Sequence, residues 1–250
     1  MRKALFLLLA SLCLLTGCGQ MGHNQEASAQ PEQRPAASTS QSETGAPPLS
    51  SVELIYSPAS LQKPMEAIPP IDDEKILIEE KIDNVRVIIY GKEEDPDNYY
   101  LSVESGSQLY DAAVIGFTAL KADDFTINSA EAFSVTYIKV TGAVGANAPV
   151  TVYMAVHQAD SPVSITIDAH TEEADIDEDG IKEIIGTVGT AAAATIYKLT
   201  GSGYGLVNLN ELLNAQVVLY DKEDNRFNVN ILEDAWSTWE VIGGKLQLAV

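Results

Sequence analysis

The residues Asp175-Ile176-Asp177-Glu178-Asp179-Gly180-Ile181-Lys182-Glu183 follow the pattern D-x-D-x-D-G-x-x-E. Alternate carboxylates at the first, third and fifth positions converge on one point if the chain turns at Gly180. The carbonyl of Ile181 then points inward, and Glu183 closes the set. Oxygen ligands of this kind suit a hard cation such as Ca²⁺. A helix-flanked calcium loop would carry its closing acid at the twelfth position, which here is Gly186. Without a cation, the five acids of this nine-residue stretch would repel one another.

Other groups with chemical potential make weaker sites. His157 and His170 fall at opposite ends of an expected hairpin, roughly 20 Å apart at about 3.3 Å per residue, too far to share a metal. Ser60-Leu61-Gln62-Lys63 matches the S-x-x-K pair of acylating enzymes, but the S-D-N and K-T-G elements that accompany it are missing. Gly201-Ser202-Gly203-Tyr204-Gly205 reads as a hairpin turn, not a nucleophile elbow. No H-E-x-x-H, phosphate-binding loop or dinucleotide fingerprint is present. Trp236 and Trp239, with Tyr99, Tyr100 and Tyr110, are either core positions or the lining of a carbohydrate or peptide groove.

The elements that must hold these residues have a period of two. Val150, Val152, Met154 and Val156 alternate with Thr151, Tyr153, Ala155 and His157; Val163, Ile165, Ile167 and Ala169 alternate with Ser164, Thr166, Asp168 and His170. With the turn composition of 158–162 between them, they predict an antiparallel hairpin with one buried face. Further strands are expected at Phe133–Tyr137, Lys75–Glu80, Val85–Tyr90, Tyr99–Ser105, Gln108–Val114, Glu183–Val188, Ala193–Leu199, Gln216–Tyr220, Phe227–Ile231 and Lys245–Val250. Asp83-Asn84, Gly106, Gly201-Ser202-Gly203 and Glu223-Asp224-Asn225 mark turns between them. Leu61–Ile68 and Leu209–Ala215 alone suggest helical turns. The pattern is that of a mainly β protein.

The acidic loop, with an apolar strand directly behind it, is similar to the calcium loop of FG-GAP and VCBS repeats, the units of integrin-type β-propellers. The resemblance spans 171–199. It implies that Asp175, Asp177, Asp179, the Ile181 carbonyl and Glu183 coordinate Ca²⁺. It also implies a propeller-like or partial-propeller arrangement of antiparallel sheets. A faint internal echo runs alongside. Asp123 precedes Tyr137-Ile138-Lys139 and Thr151-Val152-Tyr153, as Asp175 precedes Glu183-Ile184-Ile185 and Thr195-Ile196-Tyr197, an offset of 52 residues between the two aspartates.

The N-terminus reads as an address. Met1-Arg2-Lys3 is basic, and Ala4 to Leu15 is a 12-residue apolar run, where a spanning helix needs about 20. Leu15-Thr16-Gly17-Cys18 resembles the lipobox of bacterial lipoproteins. By that resemblance residues 1–17 are a signal peptide, and Cys18 carries a diacylglyceryl group as the mature N-terminus. Cys13 leaves with the signal, so the folded part holds no thiol, which excludes thiolate catalysis and Cys-ligated zinc. Residues 18–50 are the lipidated Cys and a Gln/Ser/Ala/Pro-rich linker that cannot offset its own ordering entropy; as a coil it spans about 30 Å. Residues 51–250 are the β-rich domain.

The chain carries 36 acidic against 15 basic residues, a net charge of −21. That excludes an ordinary nucleic-acid partner. The resulting expectation is a membrane-anchored lipoprotein on the extracytoplasmic face of the cell membrane. Its role would be a non-enzymatic, calcium-stabilised module that binds a protein or glycan or acts as a scaffold in the envelope. The alternative is an envelope enzyme, or an accessory subunit of a wall hydrolase, using carboxylate chemistry. The anchoring expectation is checked by fatty-acid labelling: Cys18→Ala should abolish the label and leave an unprocessed precursor, whereas a labelled, membrane-fractionating variant would refute the lipobox reading.

Overall fold

Left-handed turn residues cut the body of the chain into antiparallel strands. Asp83 and Asn84 take φ of 48° and 70°, Phe133 and Ser134 53° and 61°, and Gly106, Gly203 and Asn225 are also positive, the two-residue cases being the mirror-image turns that suit strand twist. The computed structural model describes residues 50–156, 162–189, 191–232 and 235–249. Cys18, the linker and His157 lie outside them. Among the described residues no helix is long and apolar enough to cross a membrane.

After a leading segment, the strands form four consecutive four-stranded meanders. The first contains β5 (Ile76–Ile82), β6 (Val85–Lys92), β7 (Asp95–Ser105) and β8 (Gln108–Phe117). The second contains β9 (Thr126–Ala132), β10 (Val135–Ala143), β11 (Pro149–Ala155) and β12 (Val163–Ile167). The third contains β13 (His170–Ala174), β14 (Glu183–Val188), β15 (Ala193–Thr200) and β16 (Gly203–Asn208). The fourth contains β17 (Val217–Asp221), β18 (Arg226–Leu232), β19 (Ala235–Ile242) and β20 (Lys245–Leu248). One helix, α1 (Leu209–Leu213), links the last two; the Asn208 side chain accepts from Glu211 N at its start, and Asn214 ends it at a φ of 50°.

Apolar side chains put these meanders face to face in chain order. Val87, Ile89, Leu101 and Ile115 of the first pack with Ile138, Val140, Val152 and Met154 of the second. The opposite face of the second, with Tyr137, Tyr153, Ile165 and Ile167, packs on Ile184 of the third. Ile185, Ile196 and Val207 of the third meet Val218, Phe227, Val229, Trp239 and Val241 of the fourth. No apolar cluster of described residues joins the first meander to the fourth. Ion pairing reinforces the middle contact: Lys139 Nζ lies 2.8 Å from Glu173 Oε1 and 2.7 Å from the Thr171 carbonyl, and Tyr153 also donates to Glu173.

The leading segment crosses the whole stack. Its strands β1 (Ser51–Glu53), β2 (Ser57–Pro58), β3 (Gln62–Pro64) and β4 (Glu66–Ile68) pair antiparallel with β20, β16, β12 and β8 respectively. Each meander therefore has its last strand capped by the same strap. Along the strap Leu54, Leu61, Met65 and Ile68 enter four successive apolar clusters.

A mainly β architecture of antiparallel sheets is thus observed, and no sheet closes into a barrel. Several local expectations change. Leu61–Ile68 is strap, not helix, because its apolar residues face different cores. The hairpin of β11 and β12 forms, but every residue of β11 is buried; its polar positions are satisfied, as when Thr151 donates to the Ala169 carbonyl at 2.8 Å. Phe133 and Ser134 form a turn, and the strand starts at Val135. The echo is half structural: β10 and β14 are both second strands and β11 and β15 both third strands, while Asp123 lies in a 3-10 turn before β9 and Asp175 follows β13.

The first two meanders meet at their edges through Ala143 and Gly116. A Cβ on Gly142 would lie 2.2 Å from the Ile115 carbonyl oxygen, a backbone atom that cannot swing away. Gly142→Ala should therefore cost about 3 kcal/mol or more in urea unfolding, whereas Gly145→Ala, whose nearest neighbour is 3.5 Å away, should stay within about 0.5 kcal/mol.

Candidate metal centre

In the first, second and fourth meanders the first two strands are joined by a short turn; in the third the acidic loop takes that place, between Ala174 and Glu183. Its shape comes from its own side chains. Asp175 Oδ1 and Oδ2 accept the backbone N–H groups of Asp179 and Gly180 at 3.0 and 2.9 Å, and Asp179 Oδ1 accepts that of Ile181 at 2.8 Å. Glu178 and Gly180 take φ of 60° and 84°, so the chain turns at the glycine as its position implied. Ile176 is buried in the core shared with the fourth meander and pins the loop from below.

One carboxylate oxygen from each of Asp175, Asp177 and Glu183 lies within 4.8 Å of the other two. Glu183 is fully buried at the start of β14, where its Oε2 accepts from Ile176 N at 3.1 Å. Asp179 stands at the open side. Of the five expected ligands, the structure brings Asp175, Asp177 and Glu183 directly together.

A residue outside the loop completes the cluster. Lys198 Nζ, from β15, lies 2.7 Å from Asp177 Oδ2, 2.8 Å from Asp179 Oδ2 and 2.8 Å from Glu183 Oε1. Burial works to lower this lysine, but the hydrogen bonds to Asp177, Asp179 and Glu183 outweigh it and hold the ammonium above its ordinary range. The same contact lowers Asp179. Burial pushes the Glu183 carboxyl up, against the pull of Lys198 and of Ile176 N–H. Burial also raises Tyr56, from the strap, with Glu183 adding to the effect. The spacing of the loop gives no sign of Lys198. The signal lies in strand pairing, since Ile184 pairs with Tyr197 and Lys198 is one step beyond.

Charge remains unbalanced. Three carboxylates, of Asp177, Asp179 and Glu183, share the one Lys198 ammonium, and the Asp175 carboxylate lies beside them. Asp177 Oδ1 is buried with no hydrogen-bond partner among the described residues, and such an atom carries the full cost of its desolvation. An oxygen acceptor with no donor, inside an anionic cluster, is what a bound cation would satisfy. Neither protein-family models, nor curated proteins, nor solved structures match this chain.

The remaining candidates are dispersed. His170 is exposed at the start of β13. Lys63 of the S-x-x-K tetrapeptide is exposed in the strap. Trp239 is buried, Trp236 is exposed, and Tyr100 stacks under Lys92 Nζ, 3.7 Å from its ring centre.

Lys198→Met, unfolded in urea with EDTA present, should lose about 3 kcal/mol, because it leaves carboxylates facing one another without a counter-ion. A loss below about 0.5 kcal/mol, the range of an ordinary surface change, would mean that the ammonium does not hold the loop closed.

Proposed function

We propose that this chain is a lipid-anchored protein on the outer face of a bacterial cell membrane. Its body is a calcium-stabilised, partial-propeller β module for binding or scaffolding in the envelope. The observation that carries the calcium reading is the orphaned, buried Asp177 Oδ1 within an acidic cluster that Lys198 only partly neutralises. Asp175, Asp177, Asp179 and Glu183 would hold the ion, with the Ile181 carbonyl, and the ion would supply charge and rigidity rather than a reacting centre.

Consecutive four-stranded meanders packed face to face support the partial-propeller reading, since the four-stranded sheet is the repeating unit of that architecture. The basic start, short apolar run and lipobox-like Leu15–Cys18 support the anchor. Binding is favoured over carboxylate catalysis by how the clustered acids are engaged. Asp111 accepts from Lys92, Tyr90 and Ser102, Glu173 from Lys139 and Tyr153, and Asp175 from two backbone N–H groups.

Ca²⁺ bound only to the folded state raises stability by about 2.7 kcal/mol at a hundredfold excess over Kd, or about 5–10 °C in melting temperature for a body of this size. Extracellular calcium sites have Kd values of about 10⁻⁴–10⁻³ M, so the comparison is millimolar calcium against EDTA. Asp177→Ala should lose most of the shift and Asp123→Ala should keep it. Lys198→Met should show a larger shift than the parent, because the ion no longer competes with an ammonium. Identical melting curves in calcium and EDTA for both the parent and Lys198→Met would refute the calcium reading.

A further inference from the structure

The stack has two end faces, and they differ. The outer face of the first meander carries Ile88, Tyr90 and Leu109, covered by Ile68, Ile71 and Ile76. On the outer face of the fourth meander, Trp236 is 57% and Leu219 44% exposed among the described residues, beside a buried Asn230. Strand register arranges this face in rows. Val217, Asn230 and Trp236 form one row, Leu219, Asn228 and Thr238 the next, and Asp221 pairs with Arg226 in the third.

Beside the second and third rows lies a half-open cavity of about 270 Å³ lined by Asp221, Asp224, Arg226, Asn228, Thr238 and Ala249. Its rim is fixed in place. Tyr220 donates to Asn225 Oδ1 at 2.9 Å, Asn225 Nδ2 donates to the Asp175 carbonyl at 3.1 Å, and Asp221 Oδ1 accepts Glu223 N at 3.0 Å. Inside, Thr238 donates to Asn228 Oδ1 at 3.1 Å, which leaves the Asn228 NH₂ without a partner among the described residues. Arg226 is committed to Glu240, with Nη2 to Oε2 at 3.0 Å.

We infer that this face binds an uncharged oligosaccharide, with one sugar ring in the cavity and the next against the Trp236 indole. The inference rests on the binding-module reading above. The cavity offers a free amide donor and the carboxylate acceptors Asp221 and Asp224, the mixture that hydroxyl groups can satisfy. Trp236 projects from the same face two residues from Thr238, about 7 Å along the strand. It presents a flat apolar surface to the C–H face of a second ring. Charge selects against anionic polymers: Asp221, Asp224 and Glu240 outnumber Arg226, on a chain of net charge −21.

The test uses the full chain in detergent micelles, with cellotetraose and chitotetraose as probes, read by calorimetry and by tryptophan fluorescence. At least one probe should bind at millimolar concentration or better. Trp236→Ala should weaken it about tenfold or more, Asn228→Ala severalfold, and Trp236→Phe should retain most of it. Each variant should keep the parent melting temperature, since these side chains lie outside the core. Failure of both tetrasaccharides to bind, or equal binding by Trp236→Ala, would overturn the inference. Trp236-dependent binding of an uncharged peptide in place of the sugars would overturn the ligand class. The calcium-dependent melting shift, measured on the same samples, separates failure of this inference from failure of the calcium reading.

Discussion

A four-stranded antiparallel meander ends in a strand with one row of backbone N–H and C=O groups unpaired, and this chain contains four such strands. Residues 51–68 pair with part of every one of them through a single strap, which runs against the last strand of each meander in reverse chain order. The strap also supplies apolar side chains to each successive cluster, from Val52, Leu54 and Tyr56 to Ile68. It therefore fixes the spacing of the layers as well as pairing with their edges. Pro58 and Pro64 fit this role, because a strap bonded on one side only can lack an N–H on the other.

The second constraint is electrostatic and local. Glu183 is buried where the third meander joins its acidic loop, and a buried carboxylate needs a cation or a set of donors. Lys198 and Ile176 N–H provide them for Glu183, while Asp177 Oδ1 stays unsatisfied. A divalent cation bound in the loop, as proposed, would compete with the Lys198 ammonium for the same oxygens. The loop's effects extend outward. Asn225 hangs the β17–β18 turn on the Asp175 carbonyl, and Tyr56 brings the strap beside Glu183.

Much of the architecture was legible in the residues. Alternation placed β11 and β12, and Asp83-Asn84 marked a turn that takes left-handed backbone. The acidic loop was legible because its chemistry lies within nine residues. What escaped depends on partners distant in sequence. Leu61, Met65 and Ile68 have the i, i+4, i+7 spacing of one helix face, yet each enters a different cluster. Thr151 and Tyr153 alternate like solvent-facing residues and are buried, because the Ala169 carbonyl and the Glu173 carboxylate accept their hydroxyls. Lys198 lies 15 residues beyond Glu183, and only the register of β14 and β15 brings it to the loop.

The central claim, that a divalent cation belongs in the Asp175–Glu183 loop and displaces the Lys198 ammonium, is tested most directly by a crystal structure determined in millimolar calcium. The account predicts one ion about 2.3–2.6 Å from oxygens of Asp177 and Glu183, with Lys198 Nζ moved out of hydrogen-bond reach of both. A structure in which Lys198 still bridges Asp177, Asp179 and Glu183, with no ion among them, would contradict it.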